Sequence, residues 1–263
     1  MRTRFVLLLS LLIGFTTACE KGSALRMLGE ETTIIDPAPL PPVTLDLILD
    51  DGGGSEGSTA SLAVSLRAVV PTLPPGSVVR LHDLGNSVAT SREFARFTIS
   101  APHKRTKRAL EEQQRNDTVL ILKELLAAAK PTLVPRARHA SPIAQAIVRA
   151  VLAENDSGGI HHILYAGDAR QFSKGDALGA IDMECGHLPS VGEFTVRLAH
   201  IVKRDDLRGV TIHFVGVALT PIDHDRCQAT VERYRAIEDL WVQSFSRLGA
   251  QVTWSMEPLH RLN

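Results

Sequence analysis

The sequence predicts an α/β fold: one doubly wound, mostly parallel sheet with a single antiparallel edge strand and helices on both faces. Three observations carry that prediction. From residue 43 onward, strand-like and helix-like segments mostly alternate, the order that joins parallel strands by crossover helices. The first strand candidate, "VTLDLILD", is apolar enough to be buried, as strands covered on both faces are. Two further strand candidates, "SVVRLHDL" and "REFARFTIS", flank "GNSVATS" closely enough to form a hairpin, which supplies the antiparallel edge.

Each element follows from its own pattern. After "VTLDLILD" come three glycines and then "TASLAVSLRAVVPTL", whose apolar residues recur at helical spacing until the breaker cluster "PPG". The hairpin follows. "KRTKRALEEQQRNDTVLILKELLAAAK" is rich in helix formers and is stopped by Pro131. "SPIAQAIVRAVLAE" predicts a helix with Ser141 as N-cap and Pro142 at the first helical position. "IHHILYAGD" is a strand ending in Gly-Asp, "GEFTVRLAHIVKRDDL" a helix and "GVTIHFVGVAL" a strand. "ATVERYRAIEDLWVQSFSRLG" is a helix closed by Gly249, and "AQVTWSM" is the last strand. No repeat period appears.

The beginning of the chain has a different character. Residues 1–18 carry Arg2 and Arg4, an apolar run over residues 5–15, and small residues before Cys19. This is the layout of a secretory leader, and its apolar run is short for a membrane span. Thr17-Ala18-Cys19 resembles the lipobox of bacterial lipoproteins, in which cleavage precedes the cysteine and the new terminus is acylated. The resemblance implies an acyl anchor on Cys19, at about 0.8 kcal/mol per buried methylene. Glu20 after the cysteine implies a periplasm-facing outer membrane rather than an inner one. Residues 19–42 become proline-dense ("IDPAPLPPV") and read as a tether, leaving residues 43–263 as the folded domain.

Lysine plus arginine and aspartate plus glutamate both number 29, so no polyanionic partner is implied and nucleic acid is not expected. Export makes Cys185 and Cys227 candidates for a disulfide, since both follow strands and can meet at one sheet edge. In such a sheet, ligands bind outside the carboxyl ends of the strands. Asp50, Asp51, Ser141 and Asp168 all stand where a strand ends or a helix begins.

That ordered series resembles the von Willebrand factor type A domain. The family opens with a strand ending in Asp-x-Ser-x-Ser, supplies a Thr before a later helix, and places an Asp after the next strand. Here Asp51-Gly52-Gly53-Gly54-Ser55 matches the first motif, "HASPIAQAI" the Thr-Pro helix start with Ser141 for Thr, and "HILYAGDARQF" the strand with the later Asp at Asp168. The resemblance implies a site for Mg²⁺ or another divalent cation, held by Asp51, Ser55, Ser141 and Asp168, with water completing six oxygens. Gly53 replaces the first serine and removes a hydroxyl, so the cation is held weakly or not at all. Asp50 is the alternative to Asp51, but that register puts Gly52 and Gly54 at both serine positions. The family also implies an expected role, protein binding or assembly with an unidentified envelope partner and no catalysis.

A rival resemblance comes from the same stretch. "LDDGGGSEG" is similar to the oxyanion loop of patatin-like phospholipases, and "LGNSVAT" offers Ser87 for the nucleophile, with Asp168 as its dyad partner. That resemblance implies a lipid acyl hydrolase, the glycine amides stabilising the oxyanion. Glu56 and Ala89 depart from that family's pattern, and "SPIAQAI" has no place in it. Gly53-Gly54-Ser55-Glu56-Gly57 also fits Gly-x-Ser-x-Gly, but it closes the first strand rather than a later one. Among the histidines, His161 and His162 are adjacent in a strand and point to opposite faces, whereas His187 and His224 are expected at the surface.

Overall fold

A computed structural model describes residues 40–50, 56–84, 92–101, 106–128, 142–153, 159–176, 178–183, 185–202, 207–217 and 230–262. In chain order the elements are β1 (Val43–Leu49), α1 (Glu56–Val69), a 3-10 turn (Val70–Thr72), β2 (Val78–Asp83) and β3 (Arg92–Thr98). Then come α2 (Lys107–Ala128), α3 (Ile143–Leu152), β4 (Ile160–Ala166), β5 (Phe172–Asp176) and β6 (Gly179–Asp182). The chain closes with α4 (Val191–Ile201), β7 (Val210–Val215), α5 (Val231–Arg247) and β8 (Gln251–Trp254).

Six strands form one sheet in the order β3-β2-β1-β4-β7-β8. All neighbours are parallel except β2 and β3, whose antiparallel register shifts between Leu81 and His82. The α/β class, the parallel sheet and the antiparallel edge strand are as the sequence predicts. The chain winds outward from β1 through β2 and β3 and then returns to β4 on β1's other side. The order therefore reverses between β1 and β4, and that reversal opens a crevice at their carboxyl ends.

Strand residues alternate between two cores. Leu45, Leu47, Leu49, Val79, Leu81 and Leu164 face α1 and α2, packing on Leu62, Leu66, Ile121 and Leu125. Ile48, Ile163, Tyr165, Ile212 and Phe214 face the opposite layer, with Ile147 of α3, Phe194 of α4 and Trp241 and Phe245 of α5. Trp241 anchors that layer, stacked on Phe245 at 5.7 Å and edge-on to Phe194 at 5.3 Å.

Four details differ from expectation. Pro142 is the N-cap of α3 rather than its first helical residue, and no side chain of its own caps the helix. The β5–β6 hairpin forms a separate two-stranded sheet in a stretch with no alternating apolar pattern. α4 begins on a capping box between Ser190 and Glu193 and ends at Ile201, because Val202 turns extended at φ −128°. After β8 the tail returns over α1: the Leu259 amide donates to Ser65 Oγ at 2.8 Å, and Leu259 and Leu262 pack on the first core. No helix among the described residues is long and apolar enough to cross a membrane.

Candidate functional site

The crevice between β1 and β4 is built by a close approach. Asp50 directly follows β1 and is buried, and Tyr165 Oη donates to its Oδ2 at 2.7 Å. Gly167, one residue past the end of β4, sits against this pair. A Cβ there would fall 2.2 Å from Tyr165 Oη and 2.9 Å from Asp50 Cβ, so only glycine lets the β4 exit lie over the end of β1. A second close approach follows β7. Gly216 has φ +59°, and a Cβ on it would fall 2.2 Å from Ser61 Oγ of α1. Both glycines draw neighbouring elements over the carboxyl edge of the sheet.

Asp168 is next to Gly167 and is half-buried. Its Oδ1 accepts from the Arg170 amide at 2.9 Å, the Asx-type turn that lets Ala169 take φ 54°. α5 fixes this turn from outside. Trp241 Nε1 donates to the Ala169 carbonyl at 2.8 Å, and Arg170 donates to Tyr234 Oη with its guanidinium 5.2 Å from the Tyr234 ring centroid. Gln171 then ties the turn to α3: its Oε1 accepts from the Ala144 amide at 3.0 Å, and its Nε2 donates to Gln145 Oε1 at 3.0 Å. Gln171 thus satisfies an amide in the first turn of α3, a role the sequence suggested for Ser141.

Of the predicted ligand set, Asp168 and the alternative Asp50 are therefore placed at the crevice. Asp51, Ser55 and Ser141 lie outside the described residues, as do Ser87, Cys19, Cys227 and His224. Among the described residues no three His, Cys, Asp or Glu side chains gather as a metal centre. Cys185 is exposed and disulfide-bonded. His187 is exposed.

Two polar clusters inside the sheet layers were not foreseen from the sequence. The first centres on Asp46 of β1, fully buried on the α3 side. Arg80 Nε and Nη2 donate to Asp46 Oδ1 and Oδ2 at 2.6 and 2.5 Å, and Nη2 also donates to the Ala150 carbonyl of α3 at 3.0 Å. His82 Nε2 lies 2.5 Å from Oδ1, and His161 Nε2 lies 2.5 Å from Oδ2. Burial by itself raises the Asp46 pKa, but hydrogen bonds from His161, His82 and Arg80 outweigh it and hold the carboxyl well below the ordinary carboxylate range. With Asp46 and Arg80 at zero exposure, no substrate reaches the pair, and its work is to lock α3 across β1 and β2. The signal was present: an Asp inside an apolar strand, with Arg80 its parallel-register partner on β2.

The second cluster lies on the opposite face. His162 Nδ1 and His213 Nε2 are 3.0 Å apart, and His213 Nδ1 is 2.8 Å from Thr253 Oγ1. Burial, and then the neighbouring charge of His161, lower the His162 pKa to about 4. Burial, and then His162, lower the His213 pKa to about 4. Both rings are neutral at pH 7, so each donates from one nitrogen and accepts at the other. His161 and His162 thus serve different faces of β4, as their adjacency in a strand requires.

No family model and no curated protein matches the chain. Among solved structures, it is similar to the PilB minor pilin from Streptococcus sanguinis, with 9% identity and a TM-score of 0.46 over 84% of this chain and 58% of that one. It is also similar to a von Willebrand factor type A protein from Catenulispora acidiphila, with 12% identity and a TM-score of 0.38 over 84% of this chain and 40% of that one. The chain spans less than two thirds of either protein's length.

Proposed function

We propose that this chain is a lipid-anchored cell-envelope protein presenting a von Willebrand type A-like module that binds or assembles another envelope protein at the carboxyl edge of β1 and β4. The observation that carries the reading is the closure of that edge by Gly167 over the Tyr165–Asp50 pair, which leaves Asp168 beside the exit of β1. Asp50 is occupied with Tyr165 inside the crevice, so Asp51 takes the motif's Asp position. Asp51, Ser55, Ser141 and Asp168 form the oxygen set of a degenerate metal-adhesion site. Two carboxylates and two hydroxyls suit a hard cation such as Mg²⁺, with water filling the places that Gly53 leaves. A carboxylate from the partner completes the shell when the complex forms. Cys19 carries the acyl anchor, the chain faces the periplasm from the outer membrane, and Cys185 pairs with Cys227 at the same sheet edge.

Calorimetric titration with Mg²⁺ or Mn²⁺ tests the site. The reading expects one weak binding event that weakens about tenfold or more, or 1.4 kcal/mol, in Asp51→Ala and Asp168→Ala. Ion binding unchanged in both variants sinks it. The assignment to binding rather than catalysis has its own check: purified protein that hydrolyses an acyl ester, and loses the activity in Ser87→Ala, is a lipid hydrolase instead.

A further inference from the structure

We infer that the amino edge of the sheet is a lipid-facing surface, with the basic start of α2 set against the headgroups of anionic phospholipids. The inference deepens the lipid-anchored reading and rests on it for the nearness of a bilayer; it adds which way the domain faces and which lipid holds it there.

The anchor alone fixes neither. At full stretch the residues between Cys19 and Pro42 reach roughly 75 Å. The domain end of that segment is nevertheless pinned to one edge. The Val43 amide donates to Ser77 Oγ at 3.0 Å, and a Cβ on Gly159 would fall 3.0 Å from the Pro42 carbonyl oxygen, so Pro42 lies between the entries to β2 and β4. Leu40 and Ile160 are 65% and 44% exposed there.

α2 carries positive charge beyond this edge. Its Gln114 donates to the Pro71 carbonyl, and the backbone of Ser100, just past β3, hydrogen-bonds the Asp117 carboxylate. That stretch of α2 is therefore level with the amino edge, and at 1.5 Å per residue Arg108 lies about 13 Å past Asp117. Lys107 and Arg108 are exposed in a first turn that holds no acid. Cations at the amino end of a helix oppose its macrodipole, so nothing within α2 favours them there. Arg149 and Arg247 differ, since they lie in the last turns of α3 and α5 and suit those dipoles.

The acids nearby do not cancel this charge. Glu111 shares a cleft with Arg67 and Arg115 and is 3.9 Å from Lys107, so cations outnumber acids at this end of α2 even with Glu112 counted. The connections at this edge outside the described residues are balanced, Lys104, Arg105, Lys203 and Arg204 against Glu154, Asp156, Asp205 and Asp206. A leaflet's negative potential decays over about 10 Å at 0.1 M salt, so the projecting tip meets it before the rest of the edge does. The opposite edge repels such a surface, because β1, β2 and β4 run out on Asp50, Asp83 and Asp168. The chain is thus neutral as a whole and polar along its strands.

The test places the full chain on phosphatidylcholine vesicles with or without phosphatidylglycerol, carrying a fluorescent residue at Ala101 on the amino edge or at Ala60 near the carboxyl edge. Quenching by spin-labelled headgroups reads the distance. Position 101 should be quenched at least about fivefold more on the anionic vesicles, and the difference should vanish at 1 M salt, where screening shortens to about 3 Å. Position 60 should stay unquenched throughout. Lys107→Glu/Arg108→Glu should abolish the difference without lowering stability to urea, since the new acids suit the dipole of α2. Lys107→Gln/Arg108→Gln replaces that variant if it does not fold. Equal quenching of position 101 on both vesicles, insensitivity to salt or to the double variant, or quenching of position 60 instead overturns the inference. Release of the chain from the vesicles at 1 M salt contradicts the anchor alone, because the low-salt comparison still decides which edge faces the lipid.

Discussion

Tyr165 of β4 reaches across the sheet's switch point to donate its hydroxyl to Asp50 at 2.7 Å, and the absent side chain of Gly167 is what permits the contact. Gly167→Ala should drive a methyl into Tyr165 Oη and destabilise the fold by about 1–3 kcal/mol, the usual cost of overpacking. Tyr165→Phe, which removes the donor without adding volume, should cost about 1.5–3 kcal/mol because the acceptor is a carboxylate. In the double variant the two losses should fall short of their sum, since both act on one contact. Urea denaturation measures all three.

Asp46 should be the most damaging single polar position in the sheet. Asp46→Ala removes the acceptor of Arg80, His82 and His161 at once, and removing one partner of a buried ion pair costs about 3–5 kcal/mol. Changing Arg80 to Met alongside Asp46→Leu should recover part of that loss. Because the folded pKa of Asp46 is depressed, its contribution is intact above the unfolded value of about 3.9 and falls as the pH drops below it.

The His162–His213 pair should make stability depend on pH in a higher window. Each folded pKa is depressed to about 4, from an unfolded value near 6.5. The unfolded chain therefore binds more protons between those values. The pair's stabilisation is complete above about pH 6.5 and is lost as the pH falls toward about 4. A shift of that size corresponds to about 3 kcal/mol for one ring, and the shared hydrogen bond makes the pair's total less than twice that. Thermal melts from pH 7.5 to 4.5 should show this slope, and His213→Gln should flatten it.

Gln171→Leu should loosen the start of α3 without unfolding the sheet. It removes the acceptor of the Ala144 amide, for which a cost of about 1 kcal/mol is typical of a lost cap. Hydrogen exchange should show faster exchange in the first turn of α3 and unchanged exchange in β1.

The main lines of the fold were legible because the patterns that define them are local. Apolar "VTLDLIL" became β1, and the two runs around residues 85–91 became the β2–β3 pair. The β5–β6 hairpin was not legible, because Gly175, Asp176 and Gly179 break any alternating run and its strands pair only with each other. The Asp46 cluster escaped for another reason: Arg80 and His161 stand 34 and 115 residues away and meet Asp46 only through strand register. At the candidate site, Asp50 and Asp168 were recognisable from their places after strands. Gln171 in the role given to Ser141 was not, since a glutamine following a turn carries no helix-start signal of its own.

The proposed function places partner binding at the carboxyl edge of β1 and β4, and site-specific photo-cross-linking in intact cells tests it most directly. A photoreactive residue at Ala60, exposed in the second turn of α1 beside that edge, is compared with one at Ala101, exposed beyond β3 at the opposite edge. The account predicts one discrete adduct from position 60 that disappears in Asp168→Ala, and none from position 101. Adducts from position 101 alone, or an adduct from position 60 that persists unchanged in Asp168→Ala, would contradict it.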